Sequence, residues 1–216
     1  AAWARRHNRT PEGRALLATV AANGAIFAAW QLAPPVAMSR HFILTAAAVT
    51  SPRARGHTLV TSFFSHASAL HFAGNMYALA AFAPPFFAHL PAAVGGVGAF
   101  GVVYGGGGVA AALASLAASA ARRRSTPSLG ASGAVLALVY ALVAAAPDLP
   151  VAILGAYPST LGEVAVALAV VNGVGVLAGW RRVDWAAHVG GSAWGAALCL
   201  SAAMPDGADR ALPPGS

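Results

Sequence analysis

The chain has 216 residues, of which 58% are hydrophobic and only 9% charged, and its mean hydropathy is +0.66. A soluble domain carries about 25% charged residues, so this chain lacks the polar groups needed to cover a surface in water. The formal net charge is +7, but the arginines sit in short clusters between apolar runs, as membrane proteins arrange them; this argues against a nucleic-acid partner.

The start is basic, with Arg5, Arg6, His7, Arg9 and Arg14. Residues 1–12 read as a flank of the first helix, in preference to the remnant of a transit-type leader. A spanning helix needs about 20 mostly apolar residues. Six segments meet that need, near 13–33, 68–88, 93–119, 128–146, 161–180 and 184–204, and together they make a core over 13–204. No Asp, Glu, Lys or Arg occurs from Gly56 to Ala121, and only Glu163 interrupts Leu149 to Trp180. Prolines divide the segments, among them Pro34-Pro35, Pro84-Pro85, Pro127, Pro147 and Pro150. The expected fold is all-α, a six-helix membrane bundle in which short connections make neighbours antiparallel.

One connection is long, from about Pro34 to Ala67, and is rich in apolar residues such as Phe42, Ile43, Leu44, Phe63 and Phe64. Short helices lying in the membrane interface are expected there. Gly105 to Gly108, inside the third segment, points to close backbone approach. The tail 205–216 is expected to be disordered. Six spans put both termini on one side. The arginines then divide five on that side against eight on the other, a weak lean toward the second side facing the cytoplasm-like compartment.

Three polar constellations interrupt the apolar segments. Gly130-Ala131-Ser132-Gly133 follows Pro127 at the start of the fourth. A helix N-terminus exposes free N–H groups and a positive dipole end. A serine placed there can attack a carbonyl while those N–H groups hold the oxyanion. By itself the signal is weak, because small residues in spanning helices are usually packing devices. His188 stands in Asp184-Trp185-Ala186-Ala187-His188-Val189-Gly190-Gly191. An imidazole in an apolar span is a functional candidate, able to take the serine proton and return it to a leaving amine. Gly191 and Gly195 make a small-residue face that would let this helix press on the one bearing Ser132. Asp184 reads as a cap opening the sixth helix, in preference to a third catalytic member. His71 and Asn75, four apart in the second segment, share a face, and each can donate to a developing oxyanion. His66 reads as structural. No HExxH motif and no accompanying carboxylate supports a metal. The even-numbered spans run in one direction, so Asn75, Ser132 and His188, each near a helix start, share one depth.

In that order and spacing, His71-x-x-x-Asn75, Gly130-x-Ser132-Gly133 and His188 followed by Gly190-Gly191 resemble the rhomboid family of intramembrane serine proteases. Pro127 to Ala134, Asn75-Met76-Tyr77 and Asp184 to His188 are most similar to its mitochondrial, presenilin-associated branch. The resemblance covers about residues 58–200. It implies peptide-bond hydrolysis in or near the transmembrane segments of membrane-protein substrates, in the lipid bilayer and without a cofactor or metal. Ser132 would be the nucleophile and His188 the base, with the oxyanion held by His71, Asn75 and the backbone N–H groups of Ala131 and Ser132. It further implies a multi-pass protein of the mitochondrial inner membrane, with a plastid or bacterial membrane as the alternative. A client-binding protein that does not cut, or a small transporter, are the rival readings. Two features depart from the family pattern. Many bacterial rhomboids carry a tyrosine four residues after the serine, where this chain has Leu136, and many carry a Trp-Arg pair in the first loop, which is missing between Pro34 and Ala67.

Overall fold

A computed structural model describes residues 8–51, 53–66, 68–90, 96–153, 156–180 and 183–203. Helix α1 (Pro11–Leu32) opens with Thr10, whose side chain accepts the Gly13 N–H, and with a proline in its first turn. Both features suit a helix N-terminus and set its start two residues before the expected one. The long connection that follows holds α2 (Pro35–Phe42), α3 (Ala46–Thr50), α4 (Thr58–Thr61) and a 3₁₀ turn (Ser62–Phe64). The larger helices are α5 (Ala69–His89), α6 (Gly96–Ala121), α7 (Ser132–Ala145), α8 (Leu161–Ala178) and α9 (Trp185–Ala203). The expected tail over 205–216 lies outside the described residues.

Two sequence expectations need correction. The chain is not purely α: β1 (Pro150–Ile153) and β2 (Tyr157–Thr160) pair antiparallel between α7 and α8, with Val151 opposite Ser159. Pro147 and Pro150 oppose helix there, while Val151, Ile153 and Thr160 are β-branched residues that favour strands. The Pro84-Pro85 pair does not end a helix, because α5 runs through it to His89; prolines are tolerated where neighbouring helices surround an apolar one. Among the described residues, three helices are both long and apolar enough to cross a membrane by length and composition, namely α1, α6 and α8. Helix α7 is apolar, but its 14 residues rise only about 21 Å. Helices α5 and α9 are long enough, but polar site residues and glycines dilute their hydropathy.

Helix α7 is the centre of the bundle. Every residue from Gly133 to Val139 is buried, as are Ala141 and Leu142. An element apolar all round belongs inside, and α5, α6 and α9 enclose it. Leu138 and Leu142 join Leu79, Phe86, Phe100 and Tyr104 in one core cluster. Large apolar side chains also face outward, with Leu177 89% and Val166 66% exposed on α8. That is the reverse of a water-soluble surface.

Close packing of α7 depends on missing side chains. A Cβ at Gly191 would stand 2.0 Å from the Gly133 carbonyl oxygen, and one at Gly195 would stand 1.9 Å from that of Ala137. On the other side, a Cβ at Gly107 would meet that of Ala137 at 2.3 Å, and one at Gly133 would meet that of Ala111 at 2.4 Å. Of the glycine run in α6, Gly106 receives Trp194 and Gly108 receives Phe63, while Gly105 faces open space.

Gly195→Ala is therefore expected to destabilise the protein by about 1–3 kcal/mol through overpacking. Gly74→Ala, which meets nothing within 4 Å on α5, should be neutral or stabilising by up to about 1 kcal/mol. Unfolding of the detergent-solubilised variants checks the contrast.

Candidate active site

The chain approaches α7 as an extended run that is pinned from outside. Leu44, in the long first connection, exchanges two backbone hydrogen bonds with Ser128, of 3.0 and 2.9 Å. The Gly130 N–H donates to the Ser62 carbonyl at 3.0 Å, and the Ala131 N–H to His66 Nε2 at 3.5 Å. Gly130 has φ +123, a backbone that side chains disfavour. A Cβ there would also lie 2.6 Å from the His71 ring. These constraints start α7 at Ser132, four residues later than the span expected from the sequence. Ser132 thus lies in the first turn, where backbone N–H groups have no partner within the helix.

Helix α9 begins beside it. The Ala187 N–H donates to Asp184 Oδ1 at 3.1 Å, so Asp184 caps this helix. Across the glycine contact, His188 Nε2 lies 2.8 Å from Ser132 Oγ. The other ring nitrogen, Nδ1, lies 2.9 Å from Asn172 Oδ1 on α8. Neither nitrogen is turned to Asp184. Trp185 meets the ring edge-on, with centroids 5.9 Å apart and planes at 82°. Trp185 is itself seated on α8 over Gly175, where a Cβ would come within 2.4 Å of the indole.

A cavity of about 490 Å³ opens over the pair, and Ser132, His188, His71, Gly130 and Asp184 line part of it. A second of about 490 Å³ adjoins it, sharing Thr126, Pro127, Val183 and Asp184, and carries Arg122 and Arg124. His71 reaches the cavity. Asn75 does not line it: its amide nitrogen donates to the His71 carbonyl at 2.8 Å, and its side chain is buried. The structure therefore brings Ser132, His188, His71 and Gly130 together, holds Asn75 one turn behind, and stacks Gly133, Gly191 and Gly195 at the helix contact. Among the described residues, no three His, Cys, Asp or Glu side chains gather as a metal would require.

Residues 53–204 match the Rhomboid domain family. This chain belongs to the rhomboid family. It is 32% identical over 188 residues to "Presenilin-associated rhomboid-like protein, mitochondrial" of Rattus norvegicus, covering 84% of this chain and 47% of that protein. The protein of the same name from Mus musculus is 30% identical over the same extents. That from Homo sapiens is 29% identical over 195 residues, covering 88% and 48%. The chain spans about half the length of the curated relatives it matches.

The two departures from the rhomboid pattern now have physical counterparts. With Leu136 in the tyrosine position, the His188 ring is seated by Asn172 and by Trp185. Without a Trp-Arg pair, the first connection is tied by the Leu44–Ser128 pairing and by the Trp30 indole N–H, which donates to Ser65 Oγ at 2.8 Å. Asn172 was missed by sequence reasoning. Its signal was available, since a lone amide within an apolar span must be partnered.

His66 supports the serine run from behind. It is buried, and its ring meets His71 edge-on at 5.1 Å. Burial first, and then the charge of neighbouring His71, pushes its pKa down to about 4. The ordinary value is about 6.5, so the unfolded chain takes up this proton more readily than the folded one. Stability supplied by neutral His66 is complete above about 6.5, is lost as pH falls, and levels off below about 4. His66→Gln, which keeps an acceptor and does not titrate, should show a weaker fall in unfolding temperature across that window than the wild type. An identical pH dependence in both proteins would exclude His66 as the cause.

Proposed function

We propose that this rhomboid-family chain is an intramembrane serine endopeptidase that hydrolyses peptide bonds in or near the transmembrane segments of membrane-protein substrates. The observation that carries this reading is the 2.8 Å contact between Ser132 Oγ and His188 Nε2, at a helix start that opens into a cavity. In this reading α1, α5, α6, α7, α8 and α9 are six membrane spans, with α7 enclosed by the others. The relatives named as mitochondrial support placement in a mitochondrial membrane, and the inner membrane is part of the same proposal.

His188 takes the hydroxyl proton as Ser132 Oγ bonds to the scissile carbonyl carbon. The resulting oxyanion meets the Ser132 N–H and His71. Collapse breaks the C–N bond, and the amine leaves with the proton from His188. Water then attacks the acyl-serine with the same base, which frees the acid and restores the hydroxyl. Asn75 and the Ala131 N–H join the oxyanion cradle when they leave their resting partners, the His71 carbonyl and His66. No carboxylate is needed in contact with the imidazole, in keeping with Asp184 as a cap.

A substrate helix must unwind to present its carbonyl, because helical peptide groups are already bonded to one another. Unpaired peptide groups are costly in lipid, and the cavity with its polar lining receives them. Glycine near the cut site should therefore raise cleavage, since glycine weakens a helix by about 1 kcal/mol.

The test is cleavage of a transmembrane substrate by the purified protein in detergent. Wild type should cut, and Ser132→Ala and His188→Ala should each fall below about a thousandth of its rate. Substrate binding without cutting by the wild type would support a client-binding protein instead. Cleavage undiminished in Ser132→Ala would exclude the serine mechanism.

A further inference from the structure

We propose that Asn172 is the positioning residue for the base: its amide oxygen fixes the tautomer of His188 that can accept the Ser132 proton. The proposal rests on the reading of Ser132 and His188 as nucleophile and base. A neutral imidazole carries one N–H and one lone pair, and which nitrogen holds the proton depends on what the other side of the ring meets. An amide oxygen can only accept. With Asn172 Oδ1 at 2.9 Å from Nδ1, the proton belongs on Nδ1. The lone pair then sits on Nε2, 2.8 Å from Ser132 Oγ. The opposite tautomer would set a lone pair on Nδ1 against the amide oxygen and leave Nε2 unable to act as a base.

The surroundings make this contact selective. Asn172 is only 3% exposed, and between Glu163 and Trp180 it is the one side chain with hydrogen-bonding groups. An amide buried among apolar groups is costly unless its hydrogen bonds are made. No α8 side chain lines the cavity, so Asn172 acts on the reaction through the ring and does not touch a substrate. When His188 takes the serine proton, both ring nitrogens become donors. The bond to Asn172 persists and strengthens, because its donor is now charged. The interaction is therefore greater in the transition state than in the ground state, the condition for raising kcat without lowering KM.

Other contacts also hold helix α8: the Leu161 N–H donates to the Leu149 carbonyl at 2.9 Å and the Gly162 N–H to the Pro147 carbonyl at 2.8 Å, and Leu161 is buried in the core cluster. The Tyr140 hydroxyl donates to the Ala165 carbonyl at 2.7 Å, Trp185 rests on Gly175, and the Arg122 guanidinium donates to the Val176 carbonyl. Its outer face, with Val166, Val170, Val174 and Leu177, is exposed. The tautomer of the base is thus set by a helix packed on one side only.

Two variants of the full chain separate orientation from packing. Asn172→Asp keeps an acceptor oxygen at the same place, while Asn172→Leu keeps the volume and removes the acceptor. In the cleavage assay, Asn172→Leu should lose about tenfold to a hundredfold in kcat with KM nearly unchanged, whereas Asn172→Asp should stay within about threefold of wild type. Nitrogen NMR of histidine-labelled protein reads the tautomer directly. Wild type should carry the His188 proton on Nδ1, and Asn172→Leu should give a mixture. Wild-type kcat in Asn172→Leu, or equal losses in both variants with a fall in unfolding temperature, would overturn the proposal. A wild type that cuts no substrate would contradict the protease reading, and the tautomer of His188 in wild type and Asn172→Leu would still decide this one.

Discussion

A hydroxyl can pass its proton to an imidazole only across a hydrogen bond, and here that bond depends on two helices touching backbone to backbone. Helices normally pack with axes 8–10 Å apart, at a distance set by the side chains between them. Ser132 and His188 both have short reach, so α7 and α9 must approach more closely than larger side chains would allow. Gly191 and Gly195 supply that approach, because a single added carbon at either would collide with a carbonyl of α7. Gly133 and Gly107 do the same between α7 and α6. The helix bearing the serine is thus clamped from two sides, and the geometry of the pair follows from the clamp.

The same constraint explains why so many polar groups can lie within an apolar bundle. Each is expensive unless it is bonded, and most polar side chains of the site make a bond, while His66 Nδ1, Asp184 Oδ2 and Trp185 Nε1 are buried without a partner among the described residues. His188 bonds Ser132 on one side and Asn172 on the other. Asn75 bonds the carbonyl of His71, and His66 accepts from Ala131. Away from the site, buried Asn23 donates to the Thr19 carbonyl at 2.8 Å and to the Tyr104 hydroxyl at 3.4 Å. The first connection, for all its length, belongs to the same arrangement. Through Leu44, Ser62 and His66 it fixes the run that delivers Ser132 to the start of α7.

The six apolar segments were legible as helices because apolar length is a local signal. The pairing of Ser132 with His188 was legible because both were expected near helix starts at one depth, and the Gly191–Gly195 face showed that the last helix could press on the one bearing Ser132. Asn172 was not found, and the reason is geometric. The depth argument was applied to the starts of the even-numbered segments, whereas in a bundle of antiparallel neighbours the odd-numbered segments would reach the same depth near their ends. Asn172 lies six residues before the end of α8, where that argument, carried through, would have looked. The role of Glu163 was equally readable: with Thr160 three residues before it, the pair forms a capping box that opens α8. The pairing of Leu44 with Ser128 was not readable, because two isolated residues 84 positions apart leave no period in the sequence. Nor was the β1–β2 hairpin, since strands of four residues each hold too few positions to set an alternation apart.

The central claim is that the hydroxyl of Ser132 is made nucleophilic by the ring of His188. Fluorophosphonate labelling of the solubilised protein, followed by peptide mapping, tests it without any knowledge of the substrate. The account predicts a label on Ser132 in the wild type and its loss in His188→Ala. A label on another residue, or one on Ser132 that survives removal of the imidazole, would contradict it.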